Sequence, residues 1–384
     1  MTEVTLRDVA QVSGCSVSTV SRVLAGSRPV GEETARAVRE AAERLGYRPN
    51  RVARALRSRA TGTVGLVVPQ ITNPFFPFLM RAVERALHAE GRAVLLADCD
   101  EDTGVEASRL DALLERQVDG LVVIPVDEER SRAAVTEAAD AVPLVLLDRG
   151  CGPGVADSVA VDNAAGMALV LEHLRRAGRS RVCFAGADSG SAAAERHAAY
   201  VAGAARLDPE GPGRTELGDF SVEWGRTAAE RLWPRRPDAV VCANDLIAVG
   251  VVQRLRQLGV RVPEEVAVTG FDDVAVAGIV EPALTTVRQP VAELAAEAAR
   301  LLARRPDTGE HGHTPQRTVR LAPRLIVRES SESGAVSSEG DAVRDARAGG
   351  VHGSPECAVA DDGAASVPQQ PHQPHPERLA EAEQ

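Results

Sequence analysis

Two groups of side chains in this 384-residue chain have the types and spacing to do chemistry. The first is a run of short hydroxyls closed by an arginine, Ser16-Val17-Ser18-Thr19-Val20-Ser21-Arg22. On a helix capped by Ser16, Val20, Val23 and Leu24 make the inner stripe and leave Val17, Ser18 and Arg22 outside. A guanidinium there can fork onto guanine O6 and N7, Val17 can touch a thymine methyl, and Thr19, Ser21 and the helix N-terminus suit phosphate. Taken alone, Arg22 reads better as a surface charge. The second group stands just beyond apolar, strand-like runs: Asp148 after Leu144–Leu147, Asn244 and Asp245 after Ala239–Cys242, Asp272 and Asp273 after Val266–Thr269. Carboxylates and amides so placed can exchange hydrogen bonds with the hydroxyls of a small molecule. Phe75 and Phe76 in Asn73-Pro74-Phe75-Phe76, and Phe220, can cover a ring face in a chain only 3% aromatic. A single Phe is more often core, Asp245 and Asp273 serve equally well as helix or loop caps, and acidic strand ends also suit a metal.

The elements that must hold these groups differ along the chain. Residues 4–46 read as three short helices. Thr5 caps the first, with Asp8 at its third position and Leu6, Val9 and Ala10 facing inward; Gly14 breaks the chain, and Ser16 opens the second helix, which runs to Leu24. Glu32–Leu45 forms the third, with acids in its first turn and Gly46 ending it. Asn50 can cap a further short segment, Arg51–Arg57. From Val64 onward strand-like runs (Val64–Val68, Ala93–Ala97, Gly120–Ile124, Leu144–Leu147, Val159–Val161, Val182–Ala185, Ala239–Cys242, Val266–Thr269) alternate with helical patterns at Phe75–Glu90, Val105–Gln117, Ala164–Ala177 and Asp245–Gly259. Near-continuous apolar strands separated by helices predict parallel sheets covered on both faces, an α/β fold. Residues 329–384, rich in Ser, Gly, Ala, Pro and Gln, read as a disordered tail.

Composition narrows the function. The net charge of −11 is unevenly spread: residues 1–60 carry eleven Arg against six acids, so the acidic excess lies beyond them. A basic arm on an acidic body is an electrostatic footprint for DNA. No apolar run approaches the roughly eighteen residues of a membrane span, and Met1-Thr2-Glu3-Val4 lacks the features of a secretory signal, which predicts a cytoplasmic protein. Cys15, Cys99, Cys151, Cys183, Cys242 and Cys357 form no C-x-x-C pair and read as free thiols. No G-x-G-x-x-G after a strand, Walker loop or G-x-S-x-G elbow marks an enzyme, and no cofactor is expected.

Three ordered blocks, Val4–Ala10, Gly14–Leu24 and Gly46–Leu56, closely resemble the headpiece of the LacI/GalR (lactose-repressor) family, and the resemblance continues to about Arg328. Ala25 departs from the family's usual Asn. The resemblance implies an N-terminal helix-turn-helix headpiece on a two-lobed, periplasmic-binding-protein-like core. Its implied bounds are a headpiece over 1–49, a hinge helix and linker over 50–60, and a core over 61–328. One lobe takes 64–160 plus 291–322, the other 161–289. The implied function is a sequence-specific transcription regulator, a repressor, binding a pseudo-palindromic operator in double-stranded DNA as a homodimer under the control of a small effector, most commonly a sugar. The alternatives are a purine-responsive regulator and a sugar-processing α/β enzyme. Thr5, Leu6, Ser16, Val17, Ser18, Thr19, Ser21 and Arg22 become the DNA-facing set, joined by Asn50, Arg51, Ala53, Arg54 and Arg57 of a hinge helix whose Leu56 wedges into the minor groove. The implied effector set is Asn73, Phe75, Phe76, Asp148, Arg196, Phe220, Asn244, Asp272 and Gln289, with Arg196 at the family's effector-binding arginine.

Overall fold

The structure, a computed structural model, describes residues 4–25, 30–47, 60–207, 214–304 and 316–332. Its first three helices are α1 (Leu6–Ser13), α2 (Val17–Ala25) and α3 (Glu32–Arg44). The Asp8 carboxylate accepts from the Thr5 N–H at 2.7 Å and from Thr5 Oγ1 at 2.8 Å, one half of a capping box. Gly14 (φ +66°) ends α1 and Gly46 (φ +63°) follows α3, both in left-handed backbone that favours glycine. Val9, Ala10, Val20, Val38, Ala41 and Ala42 close a small common core, with Leu6, Val23 and Leu24 half-buried around it.

The first lobe alternates strand and helix: β1 (Thr63–Val68), α4 (Phe75–Ala89), β2 (Ala93–Asp98), α5 (Thr103–Glu115), β3 (Gly120–Val123), α6 (Arg132–Ala141), β4 (Leu144–Leu147) and β5 (Asp157–Val161). The chain then builds a second lobe from α7 (Asn163–Arg176), β6 (Val182–Ala187), α8 (Ser191–Ala204), β7 (Thr215–Gly218), α9 (Val222–Leu232), β8 (Ala239–Cys242), α10 (Asp245–Gln257), β9 (Ala267–Thr269) and β10 (Thr286–Arg288). It returns to the first lobe for α11 (Val291–Leu302) and β11 (Thr318–Leu321), and leaves again for β12 (Arg324–Ile326). The first sheet has six parallel strands in the order β11-β5-β4-β3-β1-β2, and the second has four parallel strands, β7-β6-β8-β9; β10 and β12 form an antiparallel pair.

Period-two burial on both faces explains the parallel pairing. Val64, Leu66, Val68, Val145 and Leu147 pack against Leu79, Val83, Leu294 and Ala298 of α4 and α11. The alternate residues Val67, Leu121, Val123, Leu144 and Leu146 meet Leu110, Leu113 and Val135 on the other face. Each such Val or Leu contributes about 1.5–3 kcal/mol. In the second lobe α9 and α10 touch backbone to backbone where Gly225 faces Gly250, and a Cβ on either would meet the other helix's carbonyl.

The tail corrects an expectation. Residues 329–332, expected within the disordered segment, are part of the second lobe. Ser330 and Ser331 are buried, the Val268 N–H donates to Ser330 O at 2.8 Å, and Ser330 Oγ donates back to Val268 O at 2.6 Å. Serine is small enough to enter the sheet edge, and its hydroxyls replace the apolar surface it lacks. Residues 333–384 lie outside the described residues. Among the described residues five cysteines are free thiols, and burial pushes Cys99 and Cys151 up to about 12. No described helix is long and apolar enough to cross a membrane.

Candidate functional site

The head presents α2 as a polar outer face. Ser16, Val17, Ser18 and Arg22 are exposed, while Thr19 and Ser21 are half-buried. Ser16 Oγ accepts from the Thr19 N–H at 3.2 Å and shares hydrogen bonds with Ser18 Oγ at 2.9 Å and Thr19 Oγ1 at 2.8 Å, so the hydroxyls cluster at the helix N-terminus. Arg22 lies along its own helix, with Nε donating to Ser18 O at 3.3 Å. That acceptor is uncharged and the bond is weak, which leaves the guanidinium available. Thr5 is exposed beside this face; Leu6 is half-buried and shared with the head's core. Asn50, Arg51, Ala53, Arg54, Leu56 and Arg57 lie outside the described residues.

At the strand ends of the core, buried charges converge. The turn after β4 sets Asp148 in left-handed backbone (φ +64°), followed by Arg149; the turn after β9 sets Asp272 (φ +105°) and Asp273 (φ +54°) there too. A left-handed aspartate is uncommon, and such strain gathers at functional sites. Arg196, on α8, is 3% exposed, and each guanidinium nitrogen is engaged: Nε donates to Asn163 Oδ1 at 2.8 Å, one terminal nitrogen to Ala243 O at 2.7 Å, and the other stands 3.4 Å from Asp272 Oδ1. Its Cζ lies over the Phe271 ring, 3.7 Å from the ring centre. Gln289 Nε2 donates to the same Asp272 oxygen at 2.7 Å. Burial pushes Asp272 up to about 6 against the pull of Arg196, and raises Asp148 against Arg196 and Arg149. Burial also lowers the Arg149 guanidinium, countered by Asp148.

Arg149, unmarked in the sequence, is central. Its guanidinium lies between two aromatic rings, 5.4 Å from the centre of Phe76 and 5.8 Å from that of Phe220, and it donates to Val126 O at 3.2 Å. Asp148 Oδ1 and Gln289 Oε1 are buried and make no hydrogen bond among the described residues. A hollow of about 640 Å³ opens beside this cluster, where Asp272 and Gln289 meet Phe78, Pro290 and Arg324. A larger hollow of about 760 Å³, lined by Thr61, Asp119, Pro143 and Leu302, lies at the amino ends of β1, β3 and β4. Of the buried cluster, Asp272 and Gln289 line the smaller hollow, and parallel sheets bind ligands at their carboxyl ends.

The remaining expected residues stand behind the cluster. Phe75 is buried in the first lobe's core, edge-on to Phe76 at 5.6 Å. Asn73 Oδ1 accepts from the Phe75 N–H at 3.1 Å, and Asn244 caps α10 by accepting from the Ile247 N–H at 2.9 Å. Asp245 and Asp273 fix the loop that carries Asp272. Asp245 accepts from the Val274 N–H at 2.8 Å and from Thr286 Oγ1 at 2.5 Å, and Asp273 pairs with Arg288 at 2.5 Å and Arg328 at 2.6 Å. Among the described residues no group of three His, Cys, Asp or Glu is placed to hold a metal.

Comparison with known proteins follows the same division. Residues 5–50 match the model for bacterial regulatory proteins of the lacI family, and residues 171–331 match the periplasmic binding protein-like domain. The ribose operon repressor of Escherichia coli (strain K12) is 33% identical over 331 residues, which are 85% of this chain and 99% of that protein. The transcriptional regulator CelR in complex with cellobiose is 34% identical with a TM-score of 0.63, over 86% of this chain and 100% of that one. The Lac repressor dimer bound to operator, 24% identical with a TM-score of 0.75 over 86% of this chain and 100% of its own, shares the fold.

Proposed function

The chain belongs to the LacI family of bacterial regulatory proteins, and from that premise we propose that it holds a neutral sugar between its lobes and, as a homodimeric repressor, grips a pseudo-palindromic operator according to whether that sugar is bound. It is a DNA-binding transcription regulator, with a helix-turn-helix head and an effector-binding core of periplasmic-binding-protein type. As a reader of the chromosome it works in the cytoplasm, and as a binding protein it needs no catalytic residue.

One observation carries the choice of ligand. Asp148, Arg149, Arg196 and Asp272 form a buried cluster of two positive and two negative side chains beside two unpartnered acceptors, Asp148 Oδ1 and Gln289 Oε1. A charged ligand would leave a buried charge uncompensated. Sugar hydroxyls donate to the free acceptors and accept from the arginines, which satisfies groups whose desolvation otherwise costs about 1–3 kcal/mol each. In this reading Phe76 and Phe220 cover the ring face, with Phe75, Asn73 and Asn244 supporting them. The relatives named for ribose and cellobiose agree with it.

The head reads DNA through Arg22 on guanine and Val17 on a thymine methyl, with Thr5, Leu6, Ser16, Ser18, Thr19 and Ser21 along the backbone. The lobes divide as 64–160 plus 291–322 and 161–289, with residues 329–332 added to the second. The lobes closing on sugar changes the spacing of the two heads across the operator. Exposed apolar residues support self-association: Leu95 and Leu96 on the edge strand β2, and Ile279, 79% exposed. A thermal-shift panel containing D-ribose and cellobiose, followed by selection of the preferred duplex with and without the responding sugar, tests the proposal. Stabilisation by one sugar and a sugar-dependent change in operator affinity are expected; a chain that prefers no duplex under any condition would sink the reading.

A further inference from the structure

Helix α8 contributes more than Arg196 to the junction between the lobes. Ser191 and Glu195, one helical turn apart, both reach the first lobe. The Gly150 N–H donates to Ser191 Oγ at 2.9 Å, and Arg320 of β11 clasps Glu195 with two hydrogen bonds of 2.9 and 2.5 Å. Arg320 is held at its own end by Val161 O, at 3.3 Å, where β5 leaves the first sheet. The same Glu195 Oε2 that takes the longer of the two Arg320 bonds also accepts from Asn163 Nδ2 at 2.7 Å, and Asn163 Oδ1 accepts from Arg196 Nε. Asn163 is 1% exposed and begins α7, directly after the crossover between lobes. Its amide has one usable orientation: reversed, its NH₂ would face the Arg196 N–H and its oxygen the Glu195 carboxylate.

We infer that Glu195 and Arg320 are positioning residues for the effector site: their ion pair bridges the lobes and, through Asn163, orients Arg196. The pair is 36–40% exposed and would contribute little as an isolated surface bridge. Its effect comes instead from the buried amide it orients, which couples the closure of the lobes to the direction of one effector-binding guanidinium. This rests on the sugar-binding reading of the cluster.

The test uses the full chain with Glu195→Ala, Glu195→Gln, Arg320→Ala and the Ala/Ala double variant, and Glu172→Gln as a surface-bridge control. Without sugar, hydrogen exchange should quicken in the first turns of α7 and α8 for Glu195→Ala, less for Arg320→Ala, and least for Glu195→Gln, whose amide oxygen still accepts from Asn163. With D-ribose or cellobiose, whichever binds wild type, Glu195→Ala should weaken affinity about tenfold, and the double variant should lose no more than Glu195→Ala alone, since Arg320 acts through Glu195. Additive losses, or exchange unchanged from wild type in every variant, would overturn the inference. If neither sugar binds wild type, the sugar reading fails, and the exchange measurements still decide the relay.

Discussion

Arg22 and Arg196 carry the same guanidinium in opposite circumstances. Arg22 is exposed and rests on a neutral carbonyl of its own helix; Arg196 is 3% exposed, with its nitrogens on a carboxylate, a carbonyl and a side-chain amide. On the proposed reading, the head leaves Arg22 loose, because the partner is a polyanion met in water and the contact is completed on arrival. On the proposed sugar reading, the core fixes its group in advance, because a neutral ligand provides no charge to organise it and every donor must already point inward. Mutation, pH and sequence should therefore act on the two regions differently.

Arg196→Ala gives the largest expected effect. Removing one partner of a buried pair strands Asp272, and a cost of about 3–5 kcal/mol is expected in the core's unfolding free energy. Sugar response should be lost, while the head, whose own core lies elsewhere, keeps its operator contacts. Denaturant unfolding and operator titration of the folded fraction check this; a stable variant with normal sugar response would remove Arg196 from the cleft.

The second effect is a pH dependence. Asp272 titrates at about 6 in the folded core against an ordinary value of 3.8. Stability from this group is therefore fully present below pH 3.8 and is lost as pH rises through about 6, by up to about 3 kcal/mol. Sugar affinity should run the other way, because the ionised carboxylate is the better acceptor. Asp148 and Asp245 are also raised, so the informative measurement is the difference between wild type and Asp272→Asn. Parallel profiles for the two proteins between pH 4 and 7 would exclude Asp272 as the group responsible.

Arg22→Ala should leave stability unchanged and cost about 1–3 kcal/mol at the selected operator alone. Equal loss on a scrambled duplex would demote Arg22 to a phosphate contact.

The contrast also explains what the sequence disclosed. The head was legible because its signals are local: Thr5 and Asp8, Gly14, Ser16 and Gly46 act within a few residues of one another. Most core strands were legible as unbroken Val and Leu runs, and Asp148, Asn244 and Asp272 stood out against them. Other elements left weaker traces. Helix α8 is alanine-rich, so its inner and outer faces barely differ in hydropathy, and β7, Thr215–Gly218, is polar because it forms a sheet edge. Arg149 carries no local signal, because the rings it meets, Phe76 and Phe220, lie about seventy residues away on either side. Nothing nearby announced that Asn163 would meet Glu195, or that Glu195 would meet Arg320, 125 residues away. Ser330 and Ser331 were hidden by composition, since serine reads as tail until its partners in the second sheet are known.

The smallest predicted effect asks whether head and core respond as separate bodies. The head is closed by a handful of Val and Ala side chains, far fewer than support either lobe, so it should open at lower denaturant than the core. Asp8 belongs to the head alone. The Thr5 N–H and then the Thr5 hydroxyl hold its carboxyl below the usual range, so its contribution is present above pH 3.8 and is lost as pH falls through its lowered folded value. Acid thus weakens the head through Asp8, whereas the same acid favours the core through Asp272. Asp8→Asn should lower the denaturant midpoint of the head's transition at pH 7, leave the core's transition in place and remove the head's loss at low pH. Circular dichroism with tryptophan fluorescence separates the two, because both tryptophans, Trp224 and Trp233, lie in the second lobe. A single coincident transition that shifts as a whole would show the head and core to be one cooperative unit, and the independence assumed for Arg22 and Arg196 would fail with it.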